Sequence, residues 1–185
     1  ARTVCRADGA SLLLLSEDRT ELFFAHVAGD NAEALMKIRL PLDEHSVAGF
    51  SVLRRQTLRV CDAATDPRQS KQTDAAIGYR TRSLIAAPLT WEGEPLGVLE
   101  VVNKLEGTFD DDDVEFMQLL ATQTAIAVQL ARQGRQVEAF RRQTCEFLRD
   151  WLDRSGIQKR DHGELVARVA VALGQELKLS AAELE

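Results

Sequence analysis

The sequence has no basic stripe. Lys and Arg number 23 against 29 Asp and Glu, for a net charge of −6, and short runs such as RRQ and RTR do not reverse the balance. Phosphate-backbone binding needs a basic surface, so nucleic acid is excluded as the main partner. Long apolar runs are missing too: SLLLL and LIAAPL fall far short of the roughly 20 residues that a membrane helix needs, and nothing resembles a signal peptide. No membrane contact is expected. Cysteine is scarce, at positions 5, 61 and 145. An odd total without Cys-x-x-Cys suits a reducing compartment better than a disulfide framework, which points to the cytoplasm. His26 and His45 are lone residues, so haem and non-haem iron lack a convergent ligand set. With 185 residues, 45% of them hydrophobic, the chain is long enough to bury a full core as one globular domain with an appendage. The missing initial Met and the stop at LSAAELE lead to the expectation that this is a piece of a longer protein.

Strand patterns fill the first hundred residues. Ser11 to Leu15, Leu22 to Val27, Ile38 to Leu42, Thr57 to Cys61, Ser83 to Leu89 and Leu96 to Asn103 each carry β-branched or leucine-rich runs between turn residues. SEDRT joins the first two as a hairpin, and TWEGE joins the last two, with Gly93 available for a positive φ. Helical stretches are expected at Val47 to Arg54 and around Thr73 to Ile77. Pro88 removes a ladder donor and implies an edge, a strand end or a bulge. In LGVLEVVN both alternating sets are mostly apolar, as in a sheet covered on both faces. Glu100 shares a face with Val98 and Val102, so its carboxylate either lines a pocket or is costly. Ser11 likewise shares a face with Leu13 and Leu15.

From Asp110 the period becomes helical. Phe116, Leu120, Gln123, Ala127, Leu130, Gly134 and Val137 recur at spacings of four and three, and apolar residues continue to Trp151 and Leu152. A long helix or two nearly continuous ones follow, with Gly134 the likeliest point of bending. Gln123, Gly134 and Thr144 weaken the stripe as a coiled-coil seam, yet it is longer than one sheet face can cover, so a homodimer through the outer face of residues 114–152 is expected. Asp110 stands where an N-cap belongs and Asp113 three residues later, suited to reach back to the cap. Consecutive aspartates do not have the alternation of a calcium loop. Lys104 is left without a role by capping. Pairing with Asp113 would join a loop to the sheet, and an exposed bridge of that kind is worth about 0–1 kcal/mol.

The stretch DAATDPRQSKQTDAAIGYRTRSLIAAPLTWEGEPLGVLEVVNKLEGTFDDDD resembles the GAF domain, in particular the GAF domains of cyclic-nucleotide phosphodiesterases and adenylyl cyclases. The densest likeness is DPR, GYRTRS and the Asn-Lys, Phe and Asp signature, matched by Asn103, Lys104, Phe109 and Asp113, with Val114 where the relatives carry Glu. The resemblance implies an α+β GAF fold: a twisted antiparallel sheet of about six strands, helices on both faces and a long C-terminal helix. It implies that Lys104 and Asp113 form a structural clasp near a small-molecule pocket. The pocket of the cyclic-nucleotide binders would fall on Ser11, Val27, Ala28, Ala48, Asp74, Ile77, Thr81 and Glu100. Val27 replaces the aromatic residue that stacks on the purine, Ala28 an Asp and Ile77 a Thr, losses that together weaken or redirect binding. A cyclic nucleotide (cGMP or cAMP), another small ligand and a degenerate pocket serving dimerisation all stay open. Bilin attachment is disfavoured because Cys61 lacks the usual following histidine, and the cysteine set of free-methionine-sulfoxide reductases is missing.

The last segment, DHGELVARVAVALGQELKLSAAELE, resembles the opening helix of HD-type metal phosphohydrolases of the HD-GYP group, with His162 and Arg168 matching. The resemblance implies a sensor domain over 1–133, a connecting helix over 134–160 and the start of a phosphohydrolase domain over 161–185. His162 would be a ligand for a divalent metal in the full-length enzyme, and cyclic di-GMP its substrate. A lone histidine cannot build a two-metal site, so this chain is expected to hold no catalytic residue and no cofactor of its own.

Overall fold

The computed structural model describes residues 1–29, 31–69, 73–75, 78–154 and 171. The chain divides into two units, Ala1–Arg132 and Gln133–Glu185. The first carries strands β1 (Ala7–Leu15), β2 (Glu21–Ala28), β3 (Arg39–Pro41), β4 (Leu58–Val60), β5 (Leu84–Trp91) and β6 (Glu94–Lys104), with helices α1 (Ala32–Leu35) and α2 (Val47–Arg54) between them. Helix α3 runs over Asp111–Arg154. Every strand pair is antiparallel, in the order β3-β2-β1-β6-β5-β4.

This is the six-stranded antiparallel sheet and long C-terminal helix expected from the sequence. The strands differ mainly at their ends. β1 starts at Ala7 rather than Ser11, because Ala7 pairs with Lys104 and Gly9 with Val102; the weak apolar pattern of ADGA is overridden by a long-range ladder. Pro88 is tolerated in β5 because β4 pairs only with Leu84 to Ala86. On that side the strand is locally an edge, and the missing N–H forfeits no ladder bond. The β5–β6 hairpin turns on Glu92 and Gly93, both at positive φ, the backbone that a two-residue turn needs to match strand twist.

Both faces of the sheet are apolar, for two different coverings. One layer packs Ile85, Ala87, Leu99 and Val101 with Phe109, Met117, Ala121 and Ala125 from the loop after β6 and from α3. The other packs Leu13, Leu22, Phe24, Leu84 and Val98 with Val47, Ala48 and Val52 of α2. The buried stripe of α3 is therefore Met117, Ala121 and Ala125, one residue away from the repeat expected from Phe116 and Leu120. Those two only pack partly against the layer, and Leu130 and Val137 are exposed. Spacing alone located a helical face but not the one that meets the sheet.

β1 and β6 form the centre of the sheet, and β1 leaves no room for a side chain at Gly97. A Cβ built there would lie 2.1 Å from the Leu13 carbonyl oxygen and 2.9 Å from the Leu14 Cα, both backbone atoms that cannot step aside. Gly97→Ala is expected to destabilise the domain by about 2–4 kcal/mol through backbone overpacking, read as a lower denaturant midpoint at unchanged slope.

Candidate ligand-binding site

A cavity of about 200 Å³ opens on the sheet face that carries α2. Its floor comes from strands whose register sets the side chains in a row: Ser11 of β1 lies opposite Val27 of β2 and Glu100 of β6. Strand alternation then turns all three to the same face. Ala28, Leu84 and Val102 complete the floor. Ser46, Val47 and Ala48, at the start of α2, form one wall. Ser46 caps that helix, its Oγ accepting from the Gly49 N–H at 2.9 Å, so the positive end of the helix dipole lies at the rim. The segment before β5 supplies the other wall, with Gln69, Thr73, Asp74, Tyr79 and Thr81.

Ser11, Val27, Ala28, Ala48, Asp74, Thr81 and Glu100, expected as pocket residues, all line this one cavity. Ile77 and His162 lie outside the described residues. Asp74 and Thr81 are turned towards each other: one Asp74 oxygen accepts from Thr81 Oγ1 at 2.8 Å, and the other accepts from the Thr81 N–H at 2.8 Å and Gln69 Nε2 at 3.3 Å. Their bonds close a loop of the wall. Glu100 differs. Its side chain is only half-buried because it opens onto the cavity, but protein packs densely around it, and burial raises its carboxyl to about 7. A 3.3 Å hydrogen bond donated by Ser11 Oγ offsets part of that rise.

Asp8 and Tyr79 were not expected. The Tyr79 hydroxyl donates to Asp8 Oδ2 at 2.6 Å and accepts from Asn103 Nδ2 at 2.9 Å. Burial, followed by the Asp8 carboxylate, holds the phenol protonated well above its ordinary range. The bond between Asp8 and Tyr79 spans 71 positions of the chain, and no local pattern announces it.

Asn103 sits at φ 56°, a conformation that Asn tolerates better than most residues. Its Oδ1 accepts from the Arg82 N–H at 2.6 Å and the Ser83 N–H at 3.4 Å, and its Nδ2 also donates to the Arg80 carbonyl at 3.0 Å. It thereby stitches the wall segment to the end of β6. The next residue, Lys104, pairs through Nζ with Asp113. Asp113 also belongs to a reciprocal cap: Asp110 Oδ1 accepts from the Asp113 N–H, and Asp113 Oδ2 from the Asp110 N–H, each at 3.0 Å. The pair is not the exposed bridge expected from the sequence. The side chains of Lys104 and Asp113 are only 13% and 9% exposed, and Phe109 is buried beneath with its ring centroid 5.7 Å from Nζ. Val114, at the position where the resembling domains carry Glu, packs partly into the layer under α3.

Among the described residues no cluster of His, Cys, Asp and Glu is arranged to hold a metal ion. No described helix is long and apolar enough to cross a membrane.

The GAF domain family profile matches residues 1–128. The chain is 26% identical over 141 residues to a probable 3',5'-cyclic phosphodiesterase, pde-5, of Caenorhabditis elegans, covering 71% of this chain and 19% of that protein. It is 30% identical over 89 residues to a cGMP-specific 3',5'-cyclic phosphodiesterase of Drosophila melanogaster, covering 46% of this chain and 8% of that protein. The chain thus spans about a fifth or less of these relatives. Among solved structures, the GAF domain of a phosphoenolpyruvate-protein phosphotransferase from Coxiella burnetii superimposes with a TM-score of 0.65 at 22% identity, covering 72% of this chain and 78% of the other. A GAF domain/HD domain protein from Geobacter sulfurreducens does so with a TM-score of 0.61 at 14% identity, covering 71% and 86%. At these identities the two structures speak for the fold alone.

Two substitutions test the site's energetics. Glu100 has a folded-state pKa above its unfolded value, so protonation supports the fold below about pH 4.5, and that support is lost as pH rises through about 7. Glu100→Gln is expected to be more stable than wild type by about 3 kcal/mol near pH 8, with the gap closing below about pH 5 in urea titrations. Lys104→Ala leaves Asp113 buried without its partner and is expected to cost about 3 kcal/mol in the same assay.

Proposed function

We propose, for a chain that belongs to the GAF domain family, that residues 1–133 are the small-molecule-sensing domain of a larger signalling protein and that α3 carries its response. The observation that supports this is the double attachment of one dipeptide. Asn103 holds the wall of the cavity through Tyr79, Arg80 and Arg82, while Lys104 holds the first turn of α3. A ligand that shifts the wall therefore acts one peptide unit away from the helix anchor. Such adjacency would let the cavity wall and the helix anchor bias a shared element.

The relatives named for cyclic phosphodiesterase activity make a cyclic nucleotide the first ligand to consider. Within that class cGMP is favoured over cAMP, since a carboxylate at Glu100 suits the N1 and N2 donors of guanine better than the single amine of adenine. Val27 and Ala28 offer neither stacking nor a polar contact, so affinity in the micromolar range or weaker is expected. For the C-terminal side, the resemblance of residues 161–185 to an HD-type metal phosphohydrolase, together with the GAF domain/HD domain protein among the structural relatives, supports an output domain of that kind, joined through residues 134–160. The divalent metal and the hydrolysis of cyclic di-GMP would belong to that full-length enzyme. We place its action in the cytoplasm, on the scarcity of cysteine.

A second reading is a dimerisation scaffold with a degenerate pocket. It is favoured by Leu119, Leu130, Val137, Phe140 and Phe147, all exposed on α3 and all falling on the two apolar positions of a single heptad frame.

Thermal melts separate the two readings. A ligand that binds the folded state at a hundred times its Kd adds about 2.7 kcal/mol, so millimolar cGMP is expected to raise the melting temperature clearly, and cAMP less. No shift with either nucleotide, alongside a stable dimer in light scattering, would favour the scaffold.

A further inference from the structure

The run Asp66-Pro67-Arg68 comes just before the cavity wall that starts at Gln69, and none of its three residues lines that cavity. Its polar groups close on one another. Asp66 Oδ1 accepts from the Arg68 N–H and from Arg68 Nε, each at 2.9 Å, and Asp66 Oδ2 accepts from Arg68 Nη2 at 2.7 Å. The Asp66 carbonyl accepts from the Gln69 N–H at 3.1 Å, so the same turn sets where the wall begins. The Arg68 and Asp66 side chains are 27% and 12% exposed, and two parallel bonds fix the plane of the guanidinium. That guanidinium stands over the ring of Phe50, with Cζ 4.7 Å from the centroid.

Phe50 is half-buried, on the flank of α2 that Val47, Ala48, Ser51 and Val52 leave outside the core. Arg54, one helical turn later, is a second cation over the same ring, with Cζ 5.7 Å from the centroid. Their spacing of four brings the two side chains together on the helix. Arg54 Nη2 pairs in turn with Glu44 at 2.6 Å, and Glu44 leads into Ser46, the cap of α2 and the first residue of the other wall. One ring thus carries two guanidinium groups, and a carboxylate ties each of them to a different wall of the cavity.

A second cavity of about 670 Å³ lies beside the first. It is lined by Asp43, His45 and Ser46 from one of these segments and by Ala64, Asp66 and Gln69 from the other. Leu40, Ser46, Gln69 and Thr73 line both cavities, so those side chains partition the two spaces. The separation of the walls therefore sets both the width of the inner cavity and the passage to it from the outer one. Neither contact to the ring is strong by itself: a cation over an aromatic ring at a partly exposed site favours the contact by about two- to fivefold, and two on one ring combine to about tenfold.

We propose that Phe50, with Arg54 and Arg68, clamps the two walls of the cavity together from outside, which makes it a positioning residue for a ligand that it does not touch. The consequence for binding rests on the small-molecule reading above, whereas the clamp itself exists without ligand. A ring that served only to pack α2 would loosen α2 alone when removed. A clamp loosens both walls together, although they are distant in the chain.

Amide hydrogen exchange on the full chain without ligand tests the clamp in wild type, Phe50→Leu and Phe50→Tyr. Leucine keeps the apolar bulk without a ring face, and tyrosine keeps the face. In Phe50→Leu the Gly49 amide, held by the Ser46 cap, and the Tyr79 and Thr81 amides, held by Asp74, are expected to exchange about tenfold faster. Val98 and Val101, paired with β1 at the sheet centre, are expected to keep their rates, and Phe50→Tyr to match wild type. Faster exchange confined to α2 would overturn the proposal, and so would unchanged exchange at Tyr79 and Thr81. An equal acceleration at every amide, Val98 and Val101 included, would mark global destabilisation and overturn it too. Release of cGMP followed by stopped flow extends the test to function, with about tenfold faster release expected from Phe50→Leu than from Phe50→Tyr. Unchanged release beside loosened walls would overturn the positioning role. Absence of cGMP binding by wild type at millimolar concentration would count against the sensing reading and not against the clamp, which the exchange rates decide.

Discussion

Lys104 and Asp113 meet with both charged ends largely withdrawn from water, and much of the domain depends on that meeting. Lys104 closes β6, a central strand, while Asp113 opens α3, whose next turns put Met117, Ala121 and Ala125 into the core. A buried pair of this kind is costly to break because either partner alone is left as an uncompensated charge. Asp113 also completes the reciprocal cap with Asp110, so one carboxylate satisfies a lysine and a helix-terminal amide together. The opposed layers of the sheet then differ in purpose. The face under α3 is sealed by aliphatic packing, and the face under α2 keeps a cavity.

The cavity face carries an energetic cost. Glu100 stands in the otherwise apolar run Leu96–Val102 of β6, and burial raises its carboxyl to about 7, so ionising it counts against the fold. Tyr79 and Asn103 carry the same logic outwards. Every polar atom of the Asn103 side chain is used, and its neighbour is the lysine of the helix anchor. The wall of the cavity and the anchor of the helix are thereby held by two residues joined by a single peptide bond.

How much was legible in advance differs by kind of interaction. Alternation in LGVLEVVN foretold a sheet buried on both faces, because a period of two is a local property of a strand. The cap at Asp110 and Asp113 was legible for the same reason, being a bond across three residues. Ser11, Val27 and Glu100 drew notice as departures from apolar faces or from a resembling pattern, and they stand in one row of the sheet. Hidden were the Asp8–Tyr79 bond, the spending of Asp74 on Thr81, and the burial of the clasp.

The amino-acid sequence by itself determined the elements: which runs extend, where the long helix starts, and that a carboxylate would stand on an apolar strand face. These follow from periodicity, propensity and capping, which act over a few residues. Only the tertiary structure decided which stripe of α3 meets the sheet, that Lys104 and Asp113 lose their water, and that Ser11 and Glu100 meet on the floor of the cavity. Those outcomes depend on desolvation and on contacts between segments distant in the chain, such as Ser11 with Glu100, 89 positions apart, and a chain sets them only when its strands have closed into one sheet.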